Sequence, residues 1–424
     1  MSLGWAEDFR LGDACKIKHG YAFKGRYMTT REDPSLPIVV NIVNFQYTGG
    51  FRFESSKIQR YEGNYPKEYT LKIGNIILVM TCQTPNGEIL GVPGIITDTN
   101  NTYLHNQRMG LVSITDPDKL DLSFLYYLFL SPNFKRYLFA TATGAKILHT
   151  APARIVNYRF SCPSLEIQKK IGAILSSFDK YIDSNTKTIK ILEMICKRVY
   201  NEWILKFRGS FDYGKLIESN LGQIPENWNV IKLKDIVEFK KGIEPGSEKY
   251  LHEYQEGTVR FLRVGDLSDR GTKIFVKKTL SRDKILEKAD IAITLDGTIG
   301  IVKRGLSGCY SSGIRKTIIK DENLMKYSFL YFLLKSDLIQ STIKAHTKGT
   351  TILHAGSAID YMDFAIPPPH IMDRFDEVVS PLLEQKLVLS EKNAILLKVR
   401  DLLIPRLISG EVDVDGQSTK VGCV

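Results

Sequence analysis

Long apolar runs are missing from this 424-residue chain: no stretch reaches the eighteen or so consecutive residues that a membrane-spanning helix needs. The start, with Glu7 and Asp8 close to the first residue, has no apolar segment of the signal-peptide kind. A cytoplasmic protein without membrane contact is expected. Six cysteines (Cys15, Cys82, Cys162, Cys196, Cys309, Cys423) form no C-x-x-C pair and have no histidine at ligand spacing. They read as reduced thiols, and neither a metal nor another cofactor is expected. No G-x-x-x-x-G-K-[ST] loop is present, which argues against a P-loop nucleotide site. The Asn/Asp-Pro-Pro-Tyr/Phe motif used by amino-methyltransferases is absent too. Pro367-Pro368-Pro369 lacks the leading Asn or Asp and reads as a stiff entry to a helix. Glu384-Gln385-Lys386 has the E-x-K spacing of some nucleases but lies in a helical pattern without a partner carboxylate, so it reads as a solvated helix face. Nothing singles out a Ser/His/Asp arrangement.

What is present in excess is positive charge, +11 overall, with 43% hydrophobic residues to build ordinary cores. Residues 1–163 hold 18 Lys and Arg against 13 Asp and Glu, and residues 210–367 hold 24 against 20, so both halves are mildly basic. Residues 164–208 carry 9 against 5, while residues 368–424, with 7 against 9, are slightly acidic. A polyanionic partner is favoured, and the charge is shared between the halves.

The halves also repeat one another. Leu11-Gly12-Asp13 with Gly20 recurs as Leu233-Lys234-Asp235 with Gly242, and Val40 to Phe45 matches Leu262 to Leu267, both at an offset of 222. Asn75-Ile76-Ile77 matches Asp290-Ile291-Ala292, Gln107-Arg108 matches Ile314-Arg315, and Phe124-Leu125-Tyr126 matches Phe329-Leu330-Tyr331. The strongest match sets Thr143-Gly144-Ala145-Lys146-Ile147-Leu148-His149 against Lys348-Gly349-Thr350-Thr351-Ile352-Leu353-His354 at an offset of 205. The offset shrinks along the chain, which puts the length differences in loops between matched strands.

Each half closes on a helical pattern of coiled-coil type. Ile171, Leu175, Phe178, Ile182, Ile189, Leu192, Cys196, Val199 and Trp203 step by threes and fours, with Asn185 as a polar seam position. Phe375, Val378, Leu382, Leu389, Leu396, Val399 and Leu403 repeat the pattern, with Gln385 and Lys392 polar. Pro381 lies inside this second pattern and either kinks the helix or starts it behind Ser380; Pro405 is expected to end it. The expected organisation is α+β: a first mixed α/β domain (1–162), a long helix (163–208), a linker (209–226), a second such domain (227–366), a second long helix (367–409) and a tail (410–424). The two long helices pair antiparallel as a coiled coil, which makes the internal repeat pseudo-two-fold.

Two such domains, each closed by a long helix, together with Glu218-Ser219-Asn220-Leu221-Gly222-Gln223-Ile224-Pro225-Glu226-Asn227-Trp228 ahead of Leu233-Lys234-Asp235, closely resemble the specificity subunit of type I restriction-modification systems. Leu165-Glu166-Ile167-Gln168 behind Pro163 is similar to that family's helix-opening phrase; the second half departs from it with Asp373 in the place of Gln168. In the first half Trp5 stands one residue out of register with Trp228, and no Ile-Pro-Glu precedes it. The resemblance implies two target recognition domains, each reading one half of a bipartite site in double-stranded DNA. It implies helices that set the spacer and dock methyltransferase subunits, two of them, with restriction subunits joining through the complex. It also implies no catalysis by this chain. A protein-interaction scaffold, or the recognition part of a fused restriction-methylation enzyme, are the competing readings.

Base readers are expected in the loops that differ between the halves, with Lys and Arg suited to guanine and Asn and Gln to adenine. In the first half these are Lys16, Lys18, Tyr21, Lys24, Arg26, Gln83, Thr84 and Asn86. In the second they are Lys240, Lys241, Lys249, Lys303 and Arg304. Residues that recur suit phosphate contacts or shared structure instead. These are Arg108 and Arg315, His149 and His354, and the flanking Lys146, Lys348, Thr350 and Thr351. For the two histidines a shared structural corner is the competing reading.

Overall fold

The computed structural model describes residues 5–84, 86–97, 100–268, 273–350 and 353–414. Two compact units emerge. One takes the residues up to Asp183 together with those from Ala394 on, and the other is Ser184–Asn393. Each long helix is therefore divided between them. Leu165–Tyr200, extended by a π turn over Asn201–Leu205, gives its first part to the first unit; Pro369–Ile408 gives that unit its last part.

Within the first unit, Cys15–His19, Met109–Ile114, Ile76–Val79 and Pro93–Ile95 form an antiparallel sheet in that order. A second sheet holds the short strands Met28–Thr29, Arg60–Tyr61, Ile38–Val39, Tyr103–Leu104 and Thr70–Leu71, in which Ile38–Val39 and Tyr103–Leu104 run parallel. The second unit has the same plan. Val237–Lys241, Ile314–Ile319, Ile291–Thr294 and Val302–Lys303 make the antiparallel sheet, and Thr258–Leu262 pairs parallel with Gly308–Tyr310. Strand alternation explains the orientation: Cys15 and Ile17 face the core, while Lys16 and Lys18 face solvent.

Two consecutive helices cover each antiparallel sheet. Leu122–Leu130 and Tyr327–Lys335 are apolar almost all round and accordingly buried. Ser131 and Ser336 cap the following helices through bonds from the Phe134 and Ile339 amides. In the first unit Phe124, Phe129 and Phe134 share a core with Ile171 and Leu175 from the first long helix and Ile404 and Leu407 from the second. In the second unit Phe329, Leu330 and Ile339 pack with Cys196, Tyr200, Phe375 and Val379. Burial on this scale stabilises by about 1.5–3 kcal/mol per large side chain.

The helices pair antiparallel. In the second unit Glu193 bonds Lys386 and Asn185 donates to Asn393 at 2.8 Å, so positions rise on one helix as they fall on the other. Asn185 is thus the polar seam residue the heptads predict, and its partner is Asn393, one place beyond Lys392. The second seam is kept in part: Phe375 is buried and Val378, Leu382, Leu389, Leu396 and Leu403 are half-buried, but Val379, Leu383, Ile404 and Leu407 go deepest beside them, whereas Val399, Gln385 and Lys392 face solvent. In the first unit the buried Arg400 bonds Asp179 of the first helix and donates to the Thr48 carbonyl at 2.8 Å.

Several expectations need correction. The second helix starts at Pro369 and runs through Pro381 and Pro405 without a break to Ile408. Each proline removes one donor from the ladder, but flanking turns packed on the core hold the helix together. The expected linker contains a hairpin, Leu216–Ser219 with Gly222–Pro225, and buries Tyr213 and Ile224 in the second unit's core. The Gln168 phrase has a structural reason: the buried amide accepts from the Asp121 N-H at 2.9 Å and donates to the Lys119 and Pro163 carbonyls. At the matched positions Lys326 and Asp373 form an ion pair at 3.3 Å instead. The five described cysteines are buried and not in disulfides; burial pushes the thiols of Cys15 and Cys162 up to about 12. Cys423 and the tail from residue 415 lie outside the described residues. Among the described residues no helix is long and apolar enough to cross a membrane, and no group of three or more His, Cys, Asp or Glu side chains could hold a metal ion.

Candidate nucleic-acid interface

The repeated Gly-x-x-Ile-Leu-His segments build the same corner twice. Thr143 and His149 exchange two backbone hydrogen bonds (2.9 and 2.8 Å), as do Lys348 and His354, so each loop is closed on itself. The closure needs a left-handed residue just after its first strand position, and Gly144 (φ +104°) and Gly349 (φ +96°) supply it. A Cβ at 144 would stand 2.0 Å from the Ile147 oxygen. Each histidine then reaches across a β-bridge to a side chain in the same register. His149 Nδ1 lies 3.1 Å from Thr81 Oγ1, and His354 Nδ1 lies 2.8 Å from Asp296 Oδ1. Both imidazoles remain exposed at the mouth of a cleft.

The recurring arginines part company. Arg315 is turned inward: its guanidinium bonds Asp296 Oδ2 at 3.2 Å and the Ile314 and Ser312 carbonyls, and its side chain is 8% exposed. These bonds hold the corner. Arg108, by contrast, is exposed on the wall of the first cleft. That cleft, of about 420 Å³, is also lined by His19, Gly20, Gln107 and His149. The second, of about 550 Å³, is lined by Lys241, Glu244, Tyr250, Arg263, Ser312 and His354 among others.

Shared devices position both clefts. Gly20 and Gly242 press their backbones against the facing strand, where a Cβ would sit 2.1 Å from the Asn106 oxygen and 2.2 Å from the Tyr310 oxygen. The Asn41 and Arg263 amides each donate at 2.8 Å to a buried side chain three residues on, Asn44 or Asp266. The charge of Asp266 is matched by Arg260 at 2.7 Å; in the first unit the position of Arg260 is Ile38, and the buried group is the neutral Asn44.

The remaining candidates are scattered over both units. Lys16, Lys18, Lys24 and Arg26 are exposed near the first cleft's strand, with Lys18 4.6 Å above the Tyr69 ring and Arg26 4.9 Å from the Tyr27 ring. Tyr21 packs on Tyr69 with ring centroids 5.3 Å apart. Gln83 is exposed, but Thr84 and Asn86 both bond Glu88 and hold its carboxyl below the usual range. Lys240 is drawn to Asp283 at 2.5 Å, whereas its neighbour Lys241 lines the second cleft. Lys249 is exposed, with Glu248 4.0 Å away. Lys303 lies in the Val302–Lys303 strand, and Arg304, bonded to the Ala289 carbonyl at 3.1 Å, sits beside Tyr331 and Glu384; neither lines the cleft. Lys146, Lys348 and Thr350 are exposed on the closed loops, and Thr351 lies outside the described residues. Sequence reasoning did not select His19, Gln107, Glu244, Tyr250, Arg263 or Ser312. Arg263 was detectable as a position where matched segments carry different polar residues, Asn41 and Arg263.

The model of the family described as "Type I restriction modification DNA specificity domain" matches residues 4–194 and 225–386. The chain is 26% identical over 341 residues to the type I restriction enzyme MjaIX specificity subunit of Methanocaldococcus jannaschii, covering 76% of each. It is 28% identical over 322 residues to that organism's MjaVIII specificity subunit, covering 71% of this chain and 70% of the relative. In fold it is similar to the crystal structure of a type I restriction-modification S subunit from M. genitalium, with a TM-score of 0.57 at 17% identity over 96% of both chains. Both halves match one family model, over more than half of the chain: the chain belongs to the type I restriction-modification DNA specificity family.

Proposed function

We propose that this chain reads DNA for a type I restriction-modification complex, each domain contacting one half of a bipartite site in double-stranded DNA. The observation that carries this reading is one cleft frame built twice with different linings. The closed loop, the glycine approach and the histidine corner recur, while the linings differ: His19, Gln107 and Arg108 in the first cleft, Lys241, Glu244, Tyr250 and Arg263 in the second. A common frame with variable linings suits two readers of different half-sites. Exposed basic groups beside the clefts, such as Lys18, Arg108, Lys241 and Lys348, supply the phosphate attraction that any duplex binder needs.

The long helices set the spacer between the half-sites and dock methyltransferase subunits, two per chain, with restriction subunits joining through them. Support for docking comes from apolar residues left exposed on the helices: Tyr181, Ile395 and Leu402 in the first unit, and Ile191, Met194 and Val388 in the second. The chain contributes recognition and no catalysis, and acts in the cytoplasm. The test is binding and methyl transfer with the purified full chain, alone and with a methyltransferase partner. Salt-dependent duplex binding with a bipartite preference, and adenosylmethionine-dependent methylation only with the partner, is the expected result. Methylation by the chain alone, or binding without any sequence preference, would contradict it.

A further inference from the structure

One group in the second cleft is out of keeping with phosphate binding. Glu244 is exposed on a wall shared with Lys241, Arg263 and His354. Its carboxylate is held at both oxygens: Tyr250 Oη-H donates to Oε1 at 3.2 Å and Ser312 Oγ-H donates to Oε2 at 3.1 Å. Two hydroxyls thus fix the orientation of a group that keeps further lone pairs open to the cleft.

The three parts of this device are absent together from the first unit. On the matched frame that aligns Gly20 with Gly242, Ala22 stands at the position of Glu244 and Met28 at that of Tyr250. Ser312 falls in a two-residue insertion: parallel pairing aligns Leu104 with Cys309, and hence Asn106 with Ser311, while Arg108 aligns with Arg315. Residues that hold the shared corner recur; a residue that reads a base should not. A fixed carboxylate repels the phosphate backbone and bonds only to donors. At base edges in the major groove, the donors are the exocyclic amino groups of cytosine and adenine. Adenine sets its N7 acceptor next to N6, facing a carboxylate with a lone pair, whereas cytosine N4 has a C-H beside it.

We propose that Glu244 is a specificity-determining residue of the second domain, accepting a hydrogen bond from the N4 amino group of a cytosine in that domain's half-site. This rests on the DNA-reading function above. The test is selection from randomised duplexes by the full chain in its methyltransferase complex, comparing the natural protein with Glu244→Ala and Glu244→Gln. In the natural protein one position of one half-site is cytosine. Glu244→Ala relaxes that position by about tenfold or more, and Glu244→Gln moves its preference toward adenine; the other half-site is unchanged in both. Thermal unfolding of each variant separates loss of fold from loss of reading. Unchanged preference at every position in a folded Glu244→Ala complex would overturn the assignment, as would uniformly tighter binding with the motif intact. If the natural complex selects no bipartite motif, it is the DNA-reading function that fails, not Glu244 alone.

Discussion

His105 shows how a buried polar side chain limits the fold beside the first cleft. Its Nε2-H donates to the Met109 carbonyl at 2.9 Å, and the ring is 1% exposed. Burial pulls the imidazole down to about 4, against the opposing effect of that carbonyl; the charges of Lys18 and His19, which face it, push the same way as burial. In the unfolded chain the ring titrates near 6.5. Between about 6.5 and 4 the unfolded chain therefore binds a proton that the folded one refuses, and stability falls as pH drops through that window. At pH 5 the loss is about 2 kcal/mol relative to neutral pH. His105→Gln keeps a donor for Met109 and removes the titration. Denaturant unfolding at pH 5 and pH 7.5 should show a smaller difference for the variant than for the natural protein, and equal differences would contradict the assignment. At this scale the sequence was informative where residues recurred and poor where burial decided. His149 and His354 could be paired from their motif, but the exposure of Arg108 and the burial of Arg315 depend on Asp296 and the Ser312-Gly313 insertion. A single sequence shows neither contact.

The helices were the most legible elements, because heptad patterns running through 171–203 and 375–403 have few competing interpretations. In Leu165–Tyr200 the expected seam residues Ile171, Leu175, Leu192 and Cys196 are buried, and Phe178, Ile182, Ile189 and Val199 are half-buried. In the second helix, apolar residues on adjacent faces (Val378 beside Val379, Leu382 beside Leu383) left the register ambiguous, and tertiary packing chose the second member of each pair. Propensity misled at Pro381 and Pro405, where core packing on either side outweighs the lost hydrogen bonds. The ends of the first long helix are committed to domain cores: Ile171 and Leu175 in one unit, Tyr200 and Ile204 in the other. A lengthening therefore belongs in the stretch between, near residues 182–189 and 389–396. Four residues added to each helix, a stutter absorbed by local unwinding, lengthen each by about 6 Å at about 1.5 Å per residue. With DNA rising about 3.4 Å per base pair, the spacer should grow by one or two base pairs while both half-site sequences stay the same. Methylation-site mapping decides it, and an unchanged spacer in a folded, active complex would mean that the helices do not set it.

For the whole molecule, the duplicated plan was visible in the shrinking offset between the halves, and the strand orders of the two units match it. What the offset could not reveal is where each unit ends, because the compact units borrow from both long helices and so are discontinuous in sequence. The central claim is that two domains of one design read two half-sites independently. Exchanging residues 1–163 for the corresponding domain of a relative tests it most directly, with the methylated sites of the resulting complex mapped genome-wide. Tyr127, which donates to Asp179 at 2.7 Å, and the Thr48 carbonyl, which accepts from Arg400, mark contacts that the incoming domain must keep. The predicted result is a site with one new half, the other half unchanged and the same spacer; a complex that methylates a site altered in both halves, or in neither, would contradict the account.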